Sequence, residues 1–156
     1  RAEEQIQQQH KWQPPRNGWL KCNMDTGFHN QSATTTCGRW CIRDEAGMFV
    51  RAGTTWNHGT HSIIEAEALA LLESMQAATS MNMVRVIFES HAQRVVDAVH
   101  MRNGGSSEFY LTISCIKNML ALYSNFEVNF VKRQANSVAH LLAKAANSWT
   151  RCCIFI

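Results

Sequence analysis

The chain has 156 residues, of which 46% are hydrophobic and 17% are charged. This length and composition predict one soluble globular domain and exclude a disordered chain, and no apolar run reaches the roughly 18 residues that a membrane-spanning helix requires. The formal net charge of +3 permits a nucleic-acid partner but does not require one.

The first 17 residues are typical of a linker or an extended N-terminal segment. Gln5 to Gln9 is polar, and Pro14-Pro15 favours an extended polyproline conformation. We therefore expect a linker over residues 1–17, a folded domain over 18–149 and a C-terminal tail over 150–156, with other domains upstream in a longer protein.

The cysteines and the N-terminus indicate an intracellular protein. The six cysteines form no Cys-x-x-Cys pair and mostly fall within apolar segments, where Cys acts as a small hydrophobe. The Gln-rich N-terminus lacks the apolar core of a secretory signal. No basic run typical of nuclear import is visible, so the sequence does not choose between nucleus and cytoplasm.

Three strands are predicted before the first helix. Between Gly18 and Phe28 polar and apolar residues alternate, which indicates a strand with Asp25 on its polar face. We expect this central strand to end at Asp25, because Thr26-Gly27 supplies a bend. The next two strands form an antiparallel meander with it around a tight turn. They are predicted at Thr35 to Arg43 and at Met48 to Trp56.

After Trp56 the apolar residues recur at helical spacing. A helix is predicted from Ser62 to Met81, where Ser62 and Glu65 form a capping box, and the apolar run Met83 to Glu89 predicts a buried fourth strand. The element order predicts an α/β fold with a mixed five-stranded sheet of order three-two-one-four-five and helices on both faces. The remaining predicted elements are helices Ala92 to Met101 and Ser106 to Ser124, strand Phe126 to Val131, and helix Asn136 to Ala146.

Asp25 and Glu67 are candidates for one shared site. Parallel strands one and four end at the same edge of the sheet, where open α/β sheets place their sites. Glu67 interrupts the apolar face of the first helix, and a buried Glu is costly unless it is paired or bound to a metal. The alternative for Asp25 is a residue that starts a turn.

Four segments, in this order, resemble type 1 ribonuclease H. They are the strand ending in Asp25, the helix start Glu65-Ala66-Glu67-Ala68-Leu69-Ala70, the segment Ile87-Phe88-Glu89-Ser90-His91-Ala92-Gln93, and the segment Val131 to Ala143. The entry sequence Trp12-x-Pro14-Pro15-x-x-Gly18-Trp19-x-Lys21-Cys22-Asn23-x-Asp25 is similar to that of plant ribonuclease H-like domains, the reverse-transcriptase-like domains of non-LTR retrotransposon origin. The resemblance spans Trp12 to Trp149 and implies a ribonuclease H-like fold.

The resemblance implies a site of four carboxylates that hold two magnesium ions and hydrolyse the RNA strand of an RNA–DNA hybrid. Asp25 and Glu67 match the first two acids, but the third position is His91 and the fourth is His140. Two carboxylates carry half the negative charge of four, and imidazole is a poor ligand for magnesium. We therefore expect hydrolysis by two metal ions to be impaired. The site is expected to bind Mg²⁺ or Mn²⁺ if it is active and no metal if it is not. Two His and two carboxylates also suit zinc or iron.

The resemblance also implies contacts with substrate. Ser62 matches a hydroxyl of a phosphate pocket, Gln93 matches a Gln that reads the minor groove, and Asn136 matches an Asn near the RNA strand. Helix N-caps are the alternative roles of Ser62 and Asn136. Lys132 and Arg133 add positive charge beside the cleft.

The expected function is nucleic-acid binding by a monomeric ribonuclease H-type domain whose groove takes an RNA–DNA hybrid or double-stranded RNA. An active metal-dependent hybrid endoribonuclease is the first alternative, and a protein-interaction scaffold is a weaker one. His91 and His140 discriminate between the first two functions, because replacing two metal-binding acids favours binding over cleavage.

Overall fold

The computed structural model describes residues 1–9, 11–28, 35–59, 61–102, 104–136 and 153–155. Its strands are β1 (Leu20–Phe28), β2 (Thr35–Arg43), β3 (Phe49–His58), β4 (Val86–Ser90), β5 (Phe126–Phe130) and β6 (Cys153–Phe155). Its α-helices are α1 (Ala2–Gln9), α2 (Ile63–Ser80), α3 (Gln93–His100) and α4 (Glu108–Leu122), and a 3₁₀ helix covers Arg133–Asn136.

The described strands form one mixed sheet of order β5-β4-β1-β2-β3-β6. Strand β4 pairs in parallel with β1 on one side and with β5 on the other. The pairs β1–β2, β2–β3 and β3–β6 are antiparallel. The predicted five-stranded sheet of order three-two-one-four-five is therefore confirmed, and β6 extends it beyond β3.

Helix α2 packs on the sheet through its apolar face. Leu71 and Met75 are fully buried, as the helical periodicity predicts. The helix lies close to β2 at Gly38, where an added Cβ atom would be 3.4 Å from the Cα of Ala70. The sheet contributes Cys22, Met24, Trp40, Ile42, Phe88 and Val128 to this core, and α3 and α4 contribute Val95, Val99, Ile113 and Ile116.

Two terminal elements differ from the sequence predictions. Residues Ala2–Gln9 form helix α1 within the predicted linker. A helix is favoured there because Ala, Glu and Gln are good helix formers and because acidic side chains lie in the first turn. Residues Cys153–Phe155, predicted as part of a tail, pair with β3 as strand β6. The predicted helix Asn136 to Ala146 lies outside the described residues except for Asn136, which ends the 3₁₀ helix.

The opposite face of the sheet is polar and is contacted by residues before β1. The Trp12 indole Nε1 donates a hydrogen bond of 2.9 Å to Asn23 Oδ1, and Asn23 Nδ2 donates one of 3.0 Å to Glu89 Oε1. Lys21 Nζ lies 3.3 Å from Glu89 Oε2. The Arg43 guanidinium stacks 3.7 Å from the centre of the Trp12 ring. Trp12, which lies within the predicted linker, therefore packs against the polar face of the sheet.

Burial of Glu73 on α2 is expected to make the free energy of unfolding depend on pH. Burial raises the pKa of Glu73 to about 7, partly offset by a hydrogen bond from Asn57. Between pH 4.5 and about 7, Glu73 is protonated in the folded state and ionised in the unfolded state. The free energy of unfolding therefore falls as the pH rises through this range. We expect Glu73→Gln to raise the free energy of unfolding at pH 8 by as much as about 3 kcal/mol, and to change it little at pH 4.

Urea unfolding at both pH values measures this effect. Glu45→Gln, the same substitution at an exposed turn residue, is the matched control and is expected to change stability by less than about 0.5 kcal/mol. A gain from Glu73→Gln that is equal at pH 4 and pH 8 contradicts the prediction.

Candidate functional site

Asp25 lies inside β1 and not at its end. The strand continues to Phe28, which corrects the prediction that it ends at Asp25, because β2 keeps pairing with β1 as far as Phe28. The parallel pairing of β1 with β4 stops earlier, at Asn23, so Asp25 lies beyond it. The backbone N–H of Thr26 donates a hydrogen bond of 2.8 Å to Asp25 Oδ1.

Glu67 projects from the second turn of α2 toward Asp25. Its Oε1 accepts a hydrogen bond of 2.9 Å from the hydroxyl of Thr26, and its Oε2 is buried with no hydrogen-bond partner among the described residues. Burial raises the pKa of Glu67 to about 7; the Thr26 hydrogen bond lowers it, the charge of Asp25 raises it and that of Arg133 lowers it. The sequence prediction of a buried Glu beside Asp25 agrees with this arrangement.

His91 completes a cluster with the two carboxylates. It follows β4 directly, in a turn where the hydroxyl of Ser90 accepts a hydrogen bond from the backbone N–H of Ala92. Its Nε2 lies 3.7 Å from Asp25 Oδ1 and 3.7 Å from Glu67 Oε1. One ligand atom from each of the three residues lies within 4.8 Å of the others, a spacing that suits a metal ion.

Asn136 supports this cluster from the 3₁₀ helix. Its side chain is buried, with 2% of its surface exposed. The amide Nδ2 lies 2.7 Å from the backbone oxygen of Met24 and 2.8 Å from His91 Nδ1. The amide is therefore engaged inside the protein, so its position favours holding His91 over a direct contact with nucleic acid.

Thr26 is the site residue that the sequence interpretation missed. It contacts both carboxylates, through its backbone N–H and through its hydroxyl. The interpretation considered Thr26 only as part of a bend, whereas a hydroxyl next to Asp25 on a central strand was the available signal.

A cavity of about 520 Å³ opens beside the cluster. It brings Ser62 and Gln93, predicted from separate motifs, to the same opening as Glu67 and His91. The Ser62 hydroxyl also accepts a hydrogen bond of 3.3 Å from the Glu65 backbone N–H, so its N-cap role is present too. The remaining lining residues are Ile63, Ile64, Ala92 and Arg94.

The other predicted site residues lie after β5 or outside the described residues. Lys132 and Arg133 are exposed, and Arg133 is near enough to influence the pKa of Glu67. His140, predicted at the fourth acid position, lies outside the described residues.

The donor atoms of the described cluster do not fit a pair of magnesium ions. Two carboxylates and an imidazole supply less negative charge than two divalent cations require, and magnesium strongly prefers oxygen ligands. The set has the composition of a site for one divalent cation, with Asp25 and Glu67 as its oxygen donors.

Comparisons with known proteins place the chain among ribonuclease H folds. The model of a family described as "reverse transcriptase-like" matches residues 23–146. Ribonuclease H1 of the halophilic archaeon Halobacterium salinarum superimposes with a TM-score of 0.70 at 17% identity, over 83% of this chain and 97% of that one. None of the curated proteins compared with the chain matches it. No helix among the described residues is long and apolar enough to cross a membrane.

Two similar structures contain nucleic acid. LC11-RNase H1, isolated from compost, was solved with an RNA/DNA hybrid and has a TM-score of 0.67 at 15% identity, over 81% of this chain and 94% of that one. The foamy viral protease-reverse transcriptase, also with RNA/DNA hybrid, has a TM-score of 0.65 at 13% identity, over 84% of this chain and 20% of that much longer one. At these identities the similarity establishes the fold.

Proposed function

The chain belongs to the reverse transcriptase-like family, and on that basis we propose that it is a ribonuclease H-type domain that binds RNA–DNA hybrid in the groove beside Asp25, Glu67 and His91. The observation that carries this proposal is the shared cavity. Ser62 and Gln93, whose motifs suggest contacts to phosphate and to the minor groove, line it together with Glu67 and His91. The similarity of the Trp12-to-Asp25 entry sequence supports an origin in a plant non-LTR retrotransposon.

The proposed ligand is an RNA–DNA hybrid duplex, and double-stranded RNA is the alternative ligand. LC11-RNase H1 and the foamy viral enzyme were each solved with an RNA/DNA hybrid, which supports this ligand class for a chain of the same fold. A helix N-terminus favours an anion, so Ser62 at the start of α2 suits a backbone phosphate. Exposed Lys132 and Arg133 are proposed to attract the backbone further.

Hydrolysis is proposed to be impaired. The resemblance places His91 at the third acid position and His140 at the fourth. With two oxygen-donor residues instead of four, two magnesium ions lack the charge and the ligands needed to activate water and stabilise the scissile phosphate. An active enzyme that uses Mg²⁺ or Mn²⁺ is the alternative, and cleavage of labelled hybrid by the natural protein in either metal is the observation that would favour it.

Hybrid binding is expected to weaken steeply with salt, because phosphate contacts release counterions. Lys132→Gln and Arg133→Gln should each lower the slope of log K against log salt by about one unit. Fluorescence anisotropy with a labelled hybrid across a salt series measures the slope. Arg1→Gln removes the same charge from an exposed residue at the N-terminus and serves as the control. Binding that is flat from low to high salt would instead support the protein-interaction scaffold.

A further inference from the structure

The side-chain amide of Asn136 has a defined orientation. The backbone oxygen of Met24 is only an acceptor, so the Asn136 atom 2.7 Å from it must be the NH₂ group. Among the described residues Asn136 Oδ1 is buried with no hydrogen-bond partner, and the contacts that orient the amide there are those of its two N–H donors. The second N–H of the same NH₂ group points to His91 Nδ1, 2.8 Å away.

This orientation determines which nitrogen of His91 carries the proton. A nitrogen that accepts a hydrogen bond cannot carry hydrogen, so Nδ1 is the bare nitrogen of the neutral ring and Nε2 is the N–H. We propose that Asn136 holds His91 in the Nε2–H tautomer, and that this N–H group occupies the place between Asp25 and Glu67 where family members hold a metal ion. The inference rests on the proposed function only in identifying this cluster as the family's metal site.

The two carboxylates face the N–H group symmetrically. Both distances from Nε2 are 3.7 Å, too long for hydrogen bonds but close enough for electrostatic attraction. Thr26 already donates hydrogen bonds to the same two oxygens. Asp25 Oδ1 and Glu67 Oε1 therefore each accept a hydrogen bond from Thr26 and lie near His91 Nε2, while the charge of Arg133 also acts on Glu67.

The same arrangement opposes metal binding through His91. A metal at Nε2 requires the lone pair of that nitrogen, which moves the proton to Nδ1. The Nδ1–H would then face the NH₂ group of Asn136, two donors against each other. Rotating the amide would relieve this conflict but would direct Oδ1 at the backbone oxygen of Met24, two acceptors against each other. Metal coordination by His91 therefore costs a buried hydrogen bond in either orientation.

The tautomer is measured directly by long-range ¹H–¹⁵N correlation spectra of ¹⁵N-labelled protein, in which protonated and bare ring nitrogens have separate shifts. His91 is assigned by comparison with His91→Ala. We expect a bare Nδ1 and a protonated Nε2 in the natural chain. A protonated Nδ1 and a bare Nε2 would overturn the proposal, whatever the outcome of the hybrid-binding assay. Hybrid binding can likewise fail while the tautomer is as proposed, so the two proposals are tested separately.

A second test uses Asn136→Asp, which replaces the donor beside Nδ1 with an acceptor. A carboxylate there stabilises Nδ1–H and frees Nε2, the arrangement of carboxylate–histidine–zinc sites. It also gives up the hydrogen bond to the Met24 backbone oxygen, with and without zinc alike. We expect zinc, titrated while the His91 resonances are followed, to bind at least tenfold more tightly than in the protein that keeps Asn136. All proteins in this test carry His61→Ala, because His61, Glu65 and Glu108 form a second group of potential ligands.

The matched control separates the tautomer from the added charge. If the gain comes from freeing Nε2, it should disappear when Asn136→Asp is combined with His91→Ala. A gain that persists without His91 overturns the proposal, and so does zinc binding through His91 that is equally tight with and without the Asn136→Asp substitution. Amide spectra establish that each variant is folded, and the tautomer of the natural chain decides the question if Asn136→Asp does not fold.

Discussion

The double substitution His91→Asp/His140→Asp is expected to tighten magnesium binding by at least about 100-fold and to give magnesium-dependent cleavage of RNA–DNA hybrid. The reason is first electrostatic. Two opposite unit charges about 4 Å apart attract by about 4 kcal/mol at an effective dielectric constant near 20, and each 1.4 kcal/mol is about tenfold in affinity. The new carboxylates also return oxygen ligands to the metals.

The structure supports a larger effect of His91→Asp than of His140→Asp. Position 91 adjoins both Asp25 and Glu67, and the NH₂ group of Asn136 can donate to a carboxylate there as it does to imidazole. The resemblance places the fourth acid at the rim of the site, where a lost ligand costs less. Single and double variants are compared by calorimetry with magnesium and by cleavage of labelled hybrid.

His58→Asp is the matched control for these variants. It makes the same substitution at an exposed residue at the end of β3 and is expected to bind magnesium like the natural chain. Ready cleavage of hybrid by the natural chain in magnesium at neutral pH would contradict the proposed impairment. In that case His91 and His140 would have to act as metal ligands.

Trp12→Ala is expected to lower the free energy of unfolding by about 3 kcal/mol. The substitution removes the stacking of Arg43 on the indole ring and the hydrogen bond to Asn23, a residue with 0% of its surface exposed. Asn23 Oδ1 would keep only a longer contact of 3.4 Å with Arg43. A buried acceptor that loses its main partner bears most of the cost of desolvation.

Urea unfolding measures this loss, with Trp19→Ala as control. Trp19 is also partly buried and stacks with an arginine, Arg16, at 3.6 Å. Its substitution should cost only about 1 kcal/mol, because the stack is at the surface. Trp12→Phe keeps an aromatic ring without the indole N–H, and its loss of stability should lie between those of Trp12→Ala and Trp19→Ala. Equal losses for Trp12→Ala and Trp19→Ala would support the sequence interpretation that residues 1–17 are a linker.

Strand β2 and helix α2, whose polar and apolar residues recur regularly, were predicted well from the sequence. Strand β2 has the predicted bounds, Thr35–Arg43, and α2 begins after the predicted cap Ser62. Both depend on patterns within one segment. In α2 the helical spacing also indicates the buried face, whereas β2 is buried on both of its faces. The proximity of Asp25 to Glu67 was also predictable, since a polar residue on an apolar helix face needs a partner at the sheet edge.

The contacts that decide how the site behaves come from distant segments. Asn136 reaches the backbone of Met24 across 112 positions, and Asn23 reaches Glu89 across 66. The periodicity of apolar residues within one segment does not predict such a pair. The partner of a single side-chain hydrogen bond depends on how distant helices and strands pack together. The sequence alone determined the order of five of the six described strands, the proximity of Asp25 to Glu67 and the position of His91 directly after β4. Only the tertiary structure decided that an asparagine donates to that histidine, because the direction of a hydrogen bond depends on where the Met24 carbonyl lies.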